Sequence, residues 1–254
     1  MPRSSHGGRH ELGQNFLTHR PTLSRIQGLV RRTSGPILEL GCGDGALTRL
    51  LAELGRPLTA IDIDEHRVHR LRRTLRGVRL EIADATRHAL DADVVVGNIP
   101  FHVTTPILRR LLSGERWNEA VLLTQWEVAR KRAGVGGGTM MTAQSAPWFE
   151  FSLEGRVPAW GFSPQPSVDG GLLAITRRGS PLIASAERRP YEAFVRAMFT
   201  GRGGSLPAVV ADAARIPMPR ARRAVAVARV EGRRLPRELG PDQWAALWRQ
   251  VARE

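Results

Sequence analysis

The chain has 254 residues, a formal net charge of +14 and 42% apolar side chains, enough to bury a sizeable core and too many for a disordered chain. No run approaches the ~20 apolar residues that span a bilayer, and the first eight residues have no apolar stretch resembling a secretory signal. The single cysteine, Cys42, excludes an intrachain disulfide and a cysteine-cluster metal site, so a soluble cytoplasmic protein of one or two domains, without a metal, is expected.

Ile37-Leu38-Glu39-Leu40 reads as a strand entering the glycine-rich turn Gly41-Cys42-Gly43-Asp44-Gly45. Leu47, Leu50, Leu51 and Leu54 then fall at helical spacing before Gly55. Residues 58–62 predict a second strand, 64–76 a helix with Asp64 as its N-cap, and 78–82 a third strand. Residues 93–97, with Val94-Val95-Val96, form the continuous apolar run of a buried parallel strand. Residues 104–112 predict a helix, 120–124 a fifth strand, and 149–157 and 171–177 two more. This alternation argues a doubly wound α/β sheet. After Gly179-Ser180-Pro181 the chain reads as helices at 191–199, 206–214, 220–230 and 243–251. A boundary is therefore expected after residue 178, with a domain at 1–178 and a small helical domain at 179–254.

Charge follows the same division. Residues 1–36 carry six Arg against one acid, residues 37–176 balance sixteen basic against sixteen acidic side chains, and residues 177–254 carry sixteen Arg against seven acids. Two basic arms flanking a neutral centre call for a polyanionic partner, nucleic acid first. Lys131 is the only lysine. Arginine suits phosphate and base stacking, but a GC-rich genome explains the arginine bias as well; it does not explain the segregation.

Glycines after a first strand let a ligand approach the backbone at a helix N-terminus. The run Gly41-x-Gly43-x-Gly45 fits, although read with Ala46 it fits a dinucleotide-binding dehydrogenase too. Asp62, ending the second strand, can accept from ribose hydroxyls in either case. Glu39 inside an apolar strand is costly unless partnered, and a cationic ligand would partner it. Asn98-Ile99-Pro100-Phe101 closes the fourth strand, where open α/β sheets bind ligands. An Asn before a proline-stiffened turn sets a side-chain carbonyl beside a backbone carbonyl, two acceptors for an exocyclic amine. Phe101 offers a ring on which a flipped purine can stack.

Asn98-Ile99-Pro100-Phe101 resembles the acceptor motif of S-adenosylmethionine-dependent adenine-N6 methyltransferases of rRNA. Leu12-Gly13-Gln14-Asn15-Phe16-Leu17, the glycine turn from Glu39, Asp84-Ala85 and Phe162-Ser163-Pro164-Gln165-Pro166-Ser167-Val168-Asp169 resemble that superfamily's other motifs, in the same order along nearly the whole chain. Ile99, the run Gln125-Trp126-Glu127-Val128-Ala129-Arg130-Lys131-Arg132, and Ala146-Pro147-Trp148-Phe149 resemble the Erm branch, 23S rRNA methyltransferases conferring macrolide, lincosamide and streptogramin B resistance. Phe101 stands where tyrosine is commoner and Asp62 where glutamate is often found.

The resemblance implies a Rossmann-like methyltransferase sheet with a C-terminal helical domain, S-adenosylmethionine as cofactor, and 23S rRNA, naked or incompletely assembled, as partner of a monomer. It implies that Asn15, Leu17, Glu39, Gly41, Gly43, Gly45, Asp62, Ile63, Asp84, Ala85 and Asn98 hold the cofactor. Asn98, Ile99, Pro100 and Phe101 hold the target adenine, and the helical domain holds RNA. The rival readings are a small-subunit rRNA dimethyltransferase, a catalytically silent nucleic-acid-binding protein on the same fold, and an NAD dehydrogenase. The last explains neither Asn98 to Phe101 nor the basic arms. Gly134-Val135-Gly136-Gly137-Gly138 reads as a lid beside the acceptor site or as a surface turn. The tryptophans and Cys42 read as core, and His6, His10 and His19 lack metal-ligand regularity.

Overall fold

The computed structural model describes residues 15–201 and 203–252. Leu12, Gly13 and Gln14 of the N-terminal motif, and His6 and His10, lie outside the described residues. The chain divides into two compact units, one of residues 1–129 with 153–174, the other of 130–152 with 175–254.

The first unit opens with the short strand β1 (Phe16–Leu17) and helix α1 (Arg20–Arg31). An alternation follows: β2 (Ile37–Leu40), α2 (Ala46–Ala52), β3 (Leu58–Asp62), α3 (Glu65–Thr74), β4 (Arg79–Ile82), β5 (Val94–Asn98), α4 (Thr104–Ser113) and β6 (Glu119–Gln125). The strand order is β4-β3-β2-β5-β6, and the four neighbouring pairs within it are parallel. The sheet is extended beyond β6 by β9 (Gly170–Arg177) and then β7 (Phe149–Val157). The Rossmann-like sheet expected from the alternation is present. β5 lies between β2 and β6, and Val94, Val95 and Val96 are fully buried. Val94 and Val96, two residues apart and so on one face, join Val121 and Leu123 of β6 in a core with Ile26 and Val30 of α1 and Leu51 of α2.

Five α-helices and strands are absent from the expectation. α1 has a proline in its first turn and Leu23, Ile26, Leu29 and Val30 buried along one stripe, a helical pattern. β1 is two residues long and pairs antiparallel with β8 (Phe162–Ser163). The other two are α5 (Trp126–Arg132) and, in the second unit, α6 (Met140–Ser145). The expected helix after the glycine turn ends at Ala52 and runs on to Gly55 only in tighter turns, the Leu54 amide donating to the Leu51 carbonyl and the Gly55 amide to the Ala52 carbonyl, each at 3.1 Å. Asp64 is the N-cap of α3 and accepts from the Arg67 amide at 3.2 Å.

The second unit contains α6, α7 (Arg188–Thr200), α8 (Leu206–Ala214), α9 (Met218–Val227) and α10 (Pro241–Val251). A single cut after residue 178 does not describe it, because residues 130–152 belong to it as well. The reason is polar as well as apolar. The Tyr191 hydroxyl of α7 donates to the Ala143 carbonyl of α6 at 2.8 Å, and the Gln144 amide donates to the Glu192 carbonyl at 2.9 Å. Trp148, Tyr191, Trp248, Phe194 and Trp244 form a chain of ring contacts in its core, as expected of those three tryptophans, whereas Trp126 is half-buried and Trp160, also expected in the core, is exposed. Among the described residues, no helix is long and apolar enough to cross a membrane.

Candidate active site

The strand order reverses between β2 and β5, and a crevice opens there at the carboxyl ends of the strands. Four sequence-predicted residues share that edge: Gly41 after β2, Asp62 ending β3, Asp84 after β4 and Asn98 ending β5. The crevice has two adjoining parts. A small cavity of about 40 Å³ is lined by Asn15, Phe16, Gly41, Gly43, Asp62 and Asn98 to Phe101. A slot of about 120 Å³ is lined mainly by apolar groups, among them Leu40, Ile63, Ala85, Ile99, Val103 and Ile107, with Asp62, Asp84 and Thr86 at its polar points.

The small cavity is built around Asn98. Its side-chain Nδ2 donates to the Asn15 carbonyl at 2.7 Å. A carbonyl can only accept, so this bond fixes the orientation of the amide and turns Oδ1 away from Asn15. Among the described residues, Oδ1 accepts no hydrogen bond. Ile99 is buried and its amide donates to the Leu123 carbonyl at 2.9 Å, continuing the ladder to β6. Pro100 then turns the chain, its carbonyl taking the Val103 amide at 3.0 Å. Phe101 begins that turn and is half-buried on the cavity wall.

Asn15 is held there by two distant segments. β1 pairs with β8, Phe16 opposite Ser163 and Leu17 opposite Phe162. The Thr18 amide and hydroxyl both donate to the Gly161 carbonyl, at 2.9 and 3.0 Å. Asp169, the last residue of the Phe162 motif, accepts from the Ala159 amide at 2.8 Å and from Arg156 at 2.6 Å. Those two donors hold its carboxyl below the usual range. The Phe162 motif thus anchors the N-terminal segment, and it does not line either cavity. Leu17 is buried in the core beside α1 and also lies outside both cavities.

The glycine turn is held by Asp62. Asp62 Oδ2 accepts from the Gly43 amide at 2.7 Å and Oδ1 from the Asp64 amide at 2.9 Å. Burial pushes its carboxyl up, and the two amides oppose that shift. Gly43 has φ +53°, and a Cβ there would lie 3.0 Å from the Phe16 ring, so any other residue would be strained and would push against Phe16. Arg67 covers the same ring, its guanidinium 4.2 Å from the centroid, and pairs with Asp44 and Asp64. Gly45 lies outside both cavities; it is the N-cap of α2 at φ +80°, the left-handed region that favours glycine, and a Cβ there would meet the buried Leu71 side chain at 2.6 Å.

Glu39 is buried within β2 and lines neither cavity. Burial pushes its carboxyl up to about 7, and the Asp62 charge adds to it. Among the described residues, its Oε2 has no hydrogen-bond partner. Asp84 is the opposite case. Its Oδ1 accepts from the Thr86 hydroxyl at 2.6 Å and amide at 2.7 Å, and these hold the carboxyl below its usual range. Cys42 is buried, and burial pushes its thiol up, so it is inert filler.

Sequence reasoning passed over two residues of the site. Phe16 lay inside the N-terminal motif without a role, yet its ring roofs the glycine turn. Arg110 of α4 gave no signal. Its guanidinium donates to the carbonyls of Ala85 at 3.0 Å, Arg87 at 3.1 Å and His88 at 2.7 Å, fixing the loop that carries Asp84 and Ala85.

The crevice therefore combines a flat apolar slot with acceptors at its ends, and a second cavity with an oriented open carbonyl beside an aromatic ring. The family model described as ribosomal RNA adenine dimethylase matches residues 5–216. The chain is 48% identical over 247 residues to the mycinamicin-resistance protein MyrB of Micromonospora griseorubida, covering 96% of this chain and 79% of that one. It is 51% identical over 200 residues to an rRNA adenine N-6-methyltransferase of Corynebacterium diphtheriae, covering 77% and 79%. The solved structure of the 23S rRNA methyltransferase ErmE superposes with a TM-score of 0.86 at 32% identity, covering 94% of this chain and 100% of that one. The chain belongs to the ribosomal RNA adenine dimethylase family, and within it to the Erm branch of rRNA adenine N6-methyltransferases.

Proposed function

We propose that this protein transfers methyl from S-adenosylmethionine to the exocyclic N6 of an adenine in 23S rRNA, and that the modification confers macrolide, lincosamide and streptogramin B resistance. The observation that carries the reading is the open Oδ1 of Asn98, oriented by the Asn15 carbonyl and set beside Phe101.

The residues present fit the cofactor. The apolar slot with Ile63, Ala85 and Ile99 suits a purine, with Asp84 to accept from its amino group. Each Asp62 oxygen, already bonded to one backbone amide, keeps a further lone pair for a ribose hydroxyl. Gly41 and Gly43 leave backbone bare beside Asn98. The orphaned, buried Oε2 of Glu39 favours a cationic neighbour. Asn15 and Phe16 close the crevice from the N-terminal side. When bound, the cofactor supplies an electrophilic methyl carbon on a sulfonium sulfur.

The rest is done by the chain. An adenine amine is a poor nucleophile because its lone pair is delocalised into the ring. Asn98 Oδ1 and the Ile99 carbonyl accept its two N–H groups and favour pyramidal nitrogen, which helps the transition state more than the ground state. Phe101 stacks on the target ring, and Pro100 stiffens the turn that sets both. Such placement supplies on the order of 7–11 kcal/mol of barrier reduction. The proton can leave after transfer, so Asn98, which cannot take one, suffices. Extruding the target base costs a few kcal/mol, which binding of RNA to basic surfaces offsets; nineteen basic against eight acidic side chains in the second unit supply such a surface.

The test is methyl transfer from radiolabelled S-adenosylmethionine to naked 23S rRNA and, separately, to assembled small-subunit precursors. Transfer to the first alone is the expected result. Transfer to the second alone would assign the chain the small-subunit reaction, and cofactor binding without transfer to either would contradict the reading.

A further inference from the structure

The largest cavity described lies within the second unit, away in sequence from the acceptor motif. It is a cleft of about 610 Å³, in the size range of ligand-holding pockets. One wall is the glycine segment 134–138, and another is the segment carrying Arg234 and Arg237. The two walls are tied together: the Gly138 amide donates to the Arg237 carbonyl at 2.6 Å. That bond fixes the Arg237 backbone and leaves its guanidinium exposed at the rim.

The charges in the cleft are unequally committed. Arg178 is paired with Glu150 at 2.6 Å and also donates to the Ala146 carbonyl. Glu238 accepts from the Leu235 amide at 2.7 Å. Among the described residues, the Arg234 and Arg237 side chains form no hydrogen bond or ion pair, so the cleft keeps a positive surplus at its mouth. Its lining also includes Phe151 and Phe199, both half-buried. Phe199 is stacked on Trp244, with centroids 6.1 Å apart and planes 14° apart, so it stands on a rigid floor.

Two forked cations beside ring surface and bare glycine backbone suit one chemical class, an unpaired nucleotide of a single strand. Phosphate takes the guanidinia and a base takes the rings. We infer that this cleft binds an unpaired nucleotide of the RNA substrate, at a position other than the methylated adenine. The inference rests on the RNA-substrate reading above and adds a second contact point to it. Arg234 and Arg237 hold the phosphates, and Phe151 and Phe199 take the base.

The experiment uses the full chain and a short fluorescein-labelled oligouridine, followed by anisotropy across a salt series. The double variant Arg234→Ala, Arg237→Ala is compared with Arg222→Ala, Arg223→Ala. The latter pair sits exposed on α9, outside the cleft, and removes the same charge. The cleft pair should weaken binding about tenfold and lower the salt slope by about 1.4, the value for two phosphates on a single strand. The α9 pair should weaken it less than threefold. Equal losses for both pairs would mean a diffuse field and overturn the site, as would an unchanged affinity in the cleft pair. With a 4-thiouridine oligomer, crosslinks to peptides holding Phe151 or Phe199 are expected; crosslinks confined to other segments would overturn the base contact. Oligomer binding needs no methyl transfer, so a wild-type chain that binds oligouridine and methylates nothing counts against the reaction and not against the cleft.

Discussion

The side-chain amide of Asn98 donates to the backbone carbonyl of Asn15, 83 residues earlier in the chain, at 2.7 Å. One bond therefore performs two tasks: it orients the carbonyl of the acceptor motif and seats the N-terminal segment over the crevice. Asn98→Ala should lower the turnover of methyl transfer at least about tenfold, since a hydrogen bond to a developing charge contributes ~1.5–3 kcal/mol. Asn98→Asp separates the tasks. It keeps acceptor oxygens but would face the Asn15 carbonyl with a second acceptor, so it should lose at least as much turnover and also bind cofactor more weakly. Steady-state kinetics with both variants checks this; an Asp variant as active as the wild type would remove the orienting role.

Arg110 holds three carbonyls of the loop that carries Asp84 and Ala85. No other side chain can reproduce that fork, lysine included. Arg110→Lys and Arg110→Ala should raise the dissociation constant of S-adenosylmethionine about tenfold, while turnover at saturating cofactor stays within about threefold, because the acceptor motif is untouched. Calorimetric titration and saturation kinetics measure the two quantities. A fall in turnover with unchanged cofactor affinity would place Arg110 elsewhere in the reaction.

Glu39 gives a pH dependence of defined sign. Its carboxyl is raised to about 7 by burial, so the folded protein binds the proton more tightly than the unfolded chain does. Stability without cofactor is greatest below the ordinary carboxylate range and falls as pH rises from about 4.5 to about 7. The fall is of order 3 kcal/mol. Glu39→Gln should flatten this slope, which urea melts of both proteins across that window would reveal. A cationic ligand reverses the preference, so cofactor affinity of the wild type should increase over the same interval and that of the Gln variant should not.

Much of the sheet was legible because buried parallel strands and their helices write strong patterns. Val94 to Val96 could only be a central strand, and Asp64 announced its helix by preceding the first apolar turn. The crevice was legible for the same reason, since Gly41, Asp62, Asp84 and Asn98 each stand at a strand's carboxyl end. Other features depend on partners far away in sequence. β1 is two residues long and exists only because Phe162 and Ser163 pair with it, so periodicity cannot reveal it. Arg110 reads as one more surface arginine of an amphipathic helix until its three carbonyls are brought to it. Leu17 and Gly45 share motifs with site residues, yet one fills the core and the other makes room for Leu71. Residues 130–152 belong to the second unit through the Tyr191 and Gln144 bonds, which no composition shift marks.

The decisive quantity is where the methyl group goes. Mass spectrometry of 23S rRNA fragments from a susceptible bacterium expressing the wild type or Asn98→Ala measures this directly. A methylated adenine at one position of 23S rRNA with the wild type, strongly reduced with the variant and accompanied by macrolide resistance, is the predicted result. Unmodified 23S rRNA, or equal methylation with both proteins, would contradict it.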